Sequence, residues 1–239
     1  MTLPLFYEPD LSEHVSILPL SEDTLRHCLQ VLRMRDGSSI EITNGRGLSA
    51  TGTLTITGKK SAQASCTNFV QHSRPLAELT LCLSPLKNPQ RLEWLLEKAT
   101  EIGMQGFIPI ICERTEQVKI RKERLQGILV AAMLQSRQYF LPELYDPIPF
   151  MDLMALPVLP QQWIAHCAEG EKKELALFHL QGKGRILIGP EGDFTSDEIN
   201  AAINNKYQPV GLGSTRLRTE TAGLVAVTLL LHSSNTRTP

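Results

Sequence analysis

Apolar positions along the chain follow two rhythms, and the point where one gives way to the other divides it. Up to about residue 74, short stretches such as 38–43 and 54–57 alternate or favour β-branched side chains, the pattern of half-buried strands. Asn44-Gly45 between them is a hairpin-type turn pair. One helix is predicted over 21–32, with Ser21 or Asp23 placed to cap it. This part reads as a small β-barrel with an inserted helix, and Ser73-Arg74-Pro75 reads as a linker.

From Leu79 onward, apolar runs alternate with helical periodicity. Strands are predicted at 79–83, 107–111, 162–166 and 185–188, and helices at 91–102, 122–136, 196–204 and 220–231. In the first of these helices Leu92, Leu95, Leu96, Ala99 and Ile102 recur along one face, and Gly103 stands where the helix should stop. Strands separated by helices imply an α/β fold with a parallel sheet and crossover connections. The expected division is therefore a β-barrel domain over 1–74 and an α/β domain over 75–239.

Composition narrows the function classes. At 239 residues, 42% hydrophobic and 21% charged, the chain has the make-up of a soluble globular protein. A net charge of −1 excludes a general nucleic-acid glue, so any RNA or DNA contact must come from local basic patches. The longest near-continuous apolar run, 222–231, is half of the roughly 20 residues that a membrane span needs. The first residues, MTLPLFYEPD, lack a basic stretch followed by an apolar block, so neither a membrane span nor a secretory signal is expected. Cys28, Cys66, Cys82, Cys112 and Cys167 are widely spaced with no CxxC pair, which suits a reducing cytoplasm and offers no metal site.

Familiar phosphate and hydrolase motifs are absent. The segment from Gly52 to Lys60 has the wrong spacing for a phosphate loop, and Arg216 stands where a dinucleotide fingerprint starting at Gly211 needs its third glycine. The six histidines show no metalloprotease spacing, and no GxSxG elbow occurs.

Two segments carry more weight. In 186–199 an apolar strand runs into Gly189-Pro190-Glu191-Gly192, and Thr195 three residues before Glu198 forms a capping-box pattern, so a helix starts at once. In 210–222 another short strand enters a glycine loop that delivers Arg216, Arg218 and Glu220 to the start of an almost wholly apolar helix. Such a helix must be buried against its own domain or a partner chain. In a parallel sheet, loops of this kind lie beyond the carboxyl ends of the strands, where ligands bind.

These two segments, GPEGDF and LGSTRLRTETA, resemble the SPOUT class of RNA methyltransferases and within it the RsmE family, which methylates N3 of a uridine in 16S rRNA. HCLQVLRMRDG over 27–37, RLEWLLEKATEIG over 91–103 and PIICERT over 109–115 carry the same resemblance in the same order. Asp193 departs from it, standing where a second glycine is common, and Leu3 and Leu5 stand where relatives carry a basic residue. The resemblance implies a PUA-like or OB-like barrel that binds RNA, followed by a SPOUT-type parallel sheet with a C-terminal trefoil knot. It also implies a cytoplasmic homodimer, S-adenosylmethionine as cofactor, and 16S rRNA of the small ribosomal subunit as partner.

On this resemblance the cofactor site falls on Ile188, Gly189, Pro190, Glu191, Gly192, Leu212, Gly213 and Leu217. Arg218 is the expected central polar group, able to stabilise the uracil anion as N3 loses its proton. Glu191 and Glu220 are both candidates for the base, and either could instead orient Arg218. RNA contacts are expected from Arg33 and Arg35 in the barrel, and from Arg114, Lys119 and Arg137 in a basic stretch of the second domain. A SPOUT enzyme acting on a ribose 2′-hydroxyl, or a non-catalytic RNA-binding protein of this fold, remain alternatives at this point.

Overall fold

The computed structural model describes residues 2–58, 60–116 and 119–235. The chain forms two compact units, one made of Met1–Arg74 with Met133–Leu141 and the other of Pro75–Ala132 with Pro142–Pro239. The segment Met133–Leu141 thus clusters with the first unit, although the sequence pattern assigned it to the second.

The first unit contains β1 (Leu5–Tyr7), β2 (Ile17–Pro19), α1 (Glu22–Arg26), β3 (Ser39–Thr43), β4 (Leu48–Gly58) and β5 (Ser61–Gln71). Its sheet has the order β1-β3-β4-β5-β2, with β1 parallel to β3 and the other pairings antiparallel. Alternate residues Ile40 and Ile42, Ala50 and Leu54, Ala62, Ala64 and Cys66 point into one core. The hairpin between β3 and β4 is longer than a two-residue turn. The Asn44 Oδ1 accepts from the backbone N–H of Arg46 at 2.8 Å and of Leu48 at 3.2 Å, and Gly45 and Gly47 both have positive φ.

The helix expected over 21–32 is α-helical only to Arg26. Ser21 caps it, accepting from Thr24 N–H at 3.3 Å, and residues His27–Val31 widen into a π-helical turn. The wide turn closes with Leu32 N–H donating to the His27 carbonyl, and the chain then leaves through Arg33 in left-handed conformation, φ 52°.

The second unit contains β6 (Ala77–Leu83), α2 (Pro89–Ile102), β7 (Gly106–Ile111), α3 (Lys122–Gln135), β8 (Glu143–Leu144), β9 (Ile148–Pro149), α4 (Phe150–Met154), β10 (Gln161–Ala165), β11 (Lys173–Glu174), β12 (Gly182–Ile188), α5 (Ser196–Asn204), β13 (Gln208–Gly211) and α6 (Thr219–Asn235). The last turn of α3 clusters with the first unit. The sheet runs β11-β13-β10-β12-β6-β7-β8, with β9 also beside β7, and these pairings are parallel.

The helices form because their ends are chemically marked. Asn88 caps α2 and Pro89 opens it, while Gly103 stops it in left-handed conformation at φ 107°. Thr195 and Glu198 make the reciprocal capping box of α5. Gly223 lets α6 lie close to β6 and α2, since a Cβ there would stand 2.9 Å from Leu83 Cδ1 and 3.1 Å from Leu95 Cδ2. Ala226, Val227, Leu230 and Leu231 of α6 are buried within this unit, whereas Leu224, Val225 and Leu229 are only half-covered.

Candidate functional site

Three strands end level with one another. Ala165 at the end of β10 pairs with Ile188 at the end of β12 and with Val210 of β13. The loops that follow, 166–172, 189–195 and 212–218, therefore rise from one edge of the sheet, the carboxyl edge where parallel sheets place ligands. Together with the first turns of α2 and α6 they line a cleft of about 840 Å³, within the size range of small-molecule sites.

The loop 189–195 is packed from below and tied from the side. At Gly189 a Cβ would stand 3.1 Å from Phe194 Cδ2, and the Phe194 ring is buried against Phe150. Asp193 has φ 63°, and its carboxylate accepts from Cys167 N–H at 2.7 Å and from Phe194 N–H at 2.8 Å. Arg114 Nη1 donates to the Gly192 carbonyl at 2.7 Å. The loop 212–218 turns at Gly213, φ 108°, whose N–H donates to Glu174 Oε2 at 3.0 Å. In 166–172, Lys172 Nζ donates to the carbonyls of His166 and Ala168. Burial, reinforced by the Lys172 charge, holds the His166 imidazole below its ordinary pKa. Neither of its ring nitrogens has a hydrogen-bond partner among the described residues.

The charges of the cleft are unequally engaged. Glu174 and Asp193 are held by backbone donors, Glu191 Oε1 lies 3.4 Å from Lys87 N–H, and the buried Glu220 pairs with Arg91 Nε at 3.6 Å. Arg216 and Arg218 are exposed at the cleft, and neither side chain has a hydrogen-bond or ion-pair partner among the described residues. Among the described residues the cleft thus presents two guanidinium groups without partners, while Glu174, Asp193 and Glu220 are engaged and Glu191 has only the long contact to Lys87 N–H.

Of the residues singled out from sequence, Ile188, Gly189, Pro190, Glu191, Leu212, Gly213, Leu217, Arg218 and Glu220 line this cleft. Gly192 does not. A Cβ on it would face Arg114 at 3.4 Å rather than the cavity. The expected RNA contacts fall into two groups. Arg33, Arg35 and Lys119 are exposed, but Arg114 braces the 189–195 loop. Arg137, in the first unit, donates to the Leu3 carbonyl at 2.9 Å and pairs with Glu41. Sequence reasoning missed Arg91, His166, Cys167, Lys172 and Glu174 on the cleft wall. Position just past a strand's carboxyl end was the available signal for His166 and Cys167.

Residues 72–231 match the RNA methyltransferase domain family, and residues 20–65 match the RNA methyltransferase PUA domain. The chain belongs to the RNA methyltransferase family. Within it, the chain is 25% identical over 236 residues to ribosomal RNA small subunit methyltransferase E of Bacillus subtilis (strain 168), covering 93% of this chain and 92% of that one. It is similar in structure to a probable rRNA-methyltransferase from Porphyromonas gingivalis, at 36% identity and TM-score 0.87, covering 95% of this chain and 96% of that one. It is also similar to a ribosomal RNA small subunit methyltransferase E from Neisseria gonorrhoeae bound to S-adenosyl methionine, at 28% identity and TM-score 0.84, covering 95% and 96%. This RNA methyltransferase is thus a member of the RsmE family, with a SPOUT-type parallel sheet preceded by a PUA-like unit. No helix among its described residues is long and apolar enough to cross a membrane.

Proposed function

We propose that this chain methylates N3 of a uridine in the 16S rRNA of the small ribosomal subunit, using S-adenosylmethionine. The observation that carries the proposal is the convergence of the loops after β10, β12 and β13 on one cleft that offers two unpaired guanidinium groups, in a chain of the RNA methyltransferase family.

The cleft suits the cofactor. Around Gly213 a Cβ finds nothing within 4 Å, so the glycine leaves open space beside a backbone turn where a ligand can approach closely. Ile188, Gly189, Pro190, Leu212, Gly213 and Leu217 would hold the cofactor, largely through backbone groups and apolar contact. When bound, S-adenosylmethionine supplies a methyl group made electrophilic by its sulfonium.

The chain's own task is to hold the acceptor uracil in line and to help N3 lose its proton. Arg218 offers a planar donor to the uracil carbonyl oxygens, which gain negative charge as that proton leaves. Of the two candidate bases, Glu191 is exposed at the cleft, whereas Glu220 is buried beside Arg91. The proton is therefore assigned to Glu191.

The exposed Arg33, Arg35, Lys119 and Arg216 supply cations for the RNA backbone. The half-covered residues Leu224, Val225 and Leu229 of α6 form the face for a second copy of the chain, giving a homodimer. Two of the features implied by the family likeness, the trefoil knot and a cytoplasmic location, complete this reading.

The test is nucleoside analysis of small-subunit rRNA from cells with and without the gene. Loss of 3-methyluridine is the expected outcome. Unchanged 3-methyluridine would overturn the proposal, and loss of a 2′-O-methylated nucleoside instead would move the acceptor atom to the ribose.

A further inference from the structure

The first turn of α6 places Glu220 inside the protein, with a side chain only 10% exposed. A carboxylate so placed needs a compensating charge or donors. The positive end of its own helix supplies part of that compensation. The ion-pair partner of Glu220 is Arg91, from the first turn of α2. Arg91 differs from Glu220 in being 43% exposed and lying on the cleft wall. Its Nε is the atom that meets Glu220 Oε1. The pair is 3.6 Å apart, too long for a hydrogen bond, which leaves the guanidinium free to turn and tighten when something binds beside it.

We propose that Arg91 is a contact for the acceptor base and that Glu220 is its positioning residue. The pair brings a second guanidinium to the cleft that Arg218 also lines. Arg91 and Arg218 both line the cleft, so two guanidinium groups stand against the one carboxylate of Glu220 and give this wall a surplus of positive charge. That surplus suits an acceptor that turns anionic when it loses a proton, and suits a neutral bystander poorly. Glu220 then serves the reaction by holding Arg91, not by taking the proton.

The inference rests on the proposed uridine methylation, and the test keeps the two apart. Single-turnover methylation of small-subunit particles is followed for wild type, Arg91→Ala, Arg91→Lys, Glu220→Gln and the Arg91→Ala/Glu220→Gln double variant. S-adenosylmethionine affinity is measured by calorimetry, and folding by thermal melting. Arg91→Ala should slow turnover on the order of 10-fold to 100-fold, with cofactor affinity near that of wild type, and Arg91→Lys should recover part of the loss. Glu220→Gln should move in the same direction, and the double variant should be no slower than Arg91→Ala, because the two residues act as one unit.

Full turnover in Arg91→Ala overturns the inference, as do additive losses in the double variant. It is also overturned if lost cofactor affinity accounts for the defect, or if Glu220→Gln alone is slow and its rate climbs with pH, the mark of a missing base. If any single variant fails to melt cooperatively, the pair is a packing device and the inference falls. A wild type that binds the cofactor but leaves the particles unmodified brings down both the proposed function and this inference, whereas an active wild type isolates the inference.

Discussion

Asp193 accepts the backbone N–H of Cys167 at 2.7 Å, so the loop after β12 is tied to the loop after β10 by one carboxylate. The tie comes with backbone strain, because Asp193 sits at φ 63°, a conformation that glycine adopts freely and most other residues avoid. This chain accepts the strain and obtains two hydrogen bonds, to Cys167 and Phe194, that glycine cannot make.

Asp193→Ala should therefore be worse than Asp193→Gly. The alanine keeps the unfavourable φ and loses both acceptor bonds, at a cost of about 1 to 3 kcal/mol, while the glycine recovers part of that through its backbone freedom. Urea unfolding of the two variants gives the order directly. Cofactor affinity should fall in both, because both loops line the cleft.

Thiol chemistry should single out Cys167. Burial raises the Cys28 thiol to about 11 and the Cys82 thiol to about 12, and it also raises Cys66 and Cys112. These four stay protonated and covered near pH 8, whereas Cys167 is exposed on the cleft wall. Reaction with iodoacetamide followed by peptide mass analysis should show one rapidly modified cysteine, and added S-adenosylmethionine should slow it. Equal labelling with and without the cofactor would place the cofactor away from this wall.

His166 predicts a stability change on the acid side. Its folded pKa is depressed, so between that value and the unfolded value of about 6.5 the unfolded chain binds more protons than the folded one. Stability should fall as pH drops through this window and level off below it. The His166→Gln variant should show a smaller fall over the same range, read from thermal melting at a series of pH values.

Arg218 should matter for turnover more than for cofactor binding. Removing a donor that stabilises developing charge typically costs on the order of 100-fold to 1000-fold in rate. Arg218→Lys should also be poor, because an ammonium cannot reproduce the planar fork. Single-turnover methylation with cofactor titration in parallel separates the two effects. Near-normal turnover in Arg218→Ala would move the chemistry to another group in the cleft.

The second unit was more legible in the sequence than the first. Its helices announce themselves through caps and one-sided apolar spacing, so Thr195, Glu198, Asn88 and Gly103 fall where the elements begin and end. The loops after β12 and β13 were legible for the same reason: glycine, proline and charge interrupt apolar strands. The strand Ser61–Gln71 was not, because its inward positions are the small residues Ala62, Ala64 and Cys66, which carry little hydrophobic contrast. Two-residue strands such as Lys173–Glu174 have no period to detect, and that hid Glu174 from the site. Arg91 was hidden differently. Its spacing is that of an ordinary exposed helix position, and only its meeting with Glu220 on another helix gives it a task. The contacts of the basic residues were not legible either: Arg114 is engaged by the Gly192 carbonyl and Arg137 by Glu41.

The return of Met133–Leu141 to the first unit means that this unit is not a continuous stretch of chain. Tyr139 stacks on His72 with ring centroids 3.6 Å apart, its carbonyl accepts from Gly47 N–H at 2.9 Å, and Arg137 closes on Glu41. During synthesis, residues 1–74 emerge well before these partners exist, so the first unit must wait half-finished while β6, α2 and β7 are made. A fragment cut at Arg74 would keep its strands and lose this seal, leaving Glu41 and the Gly47 N–H without these partners and one face of the His72 ring uncovered. Stable expression of the N-terminal part as a separate module therefore requires either the whole chain or a rearranged gene that supplies 133–141 after residue 74.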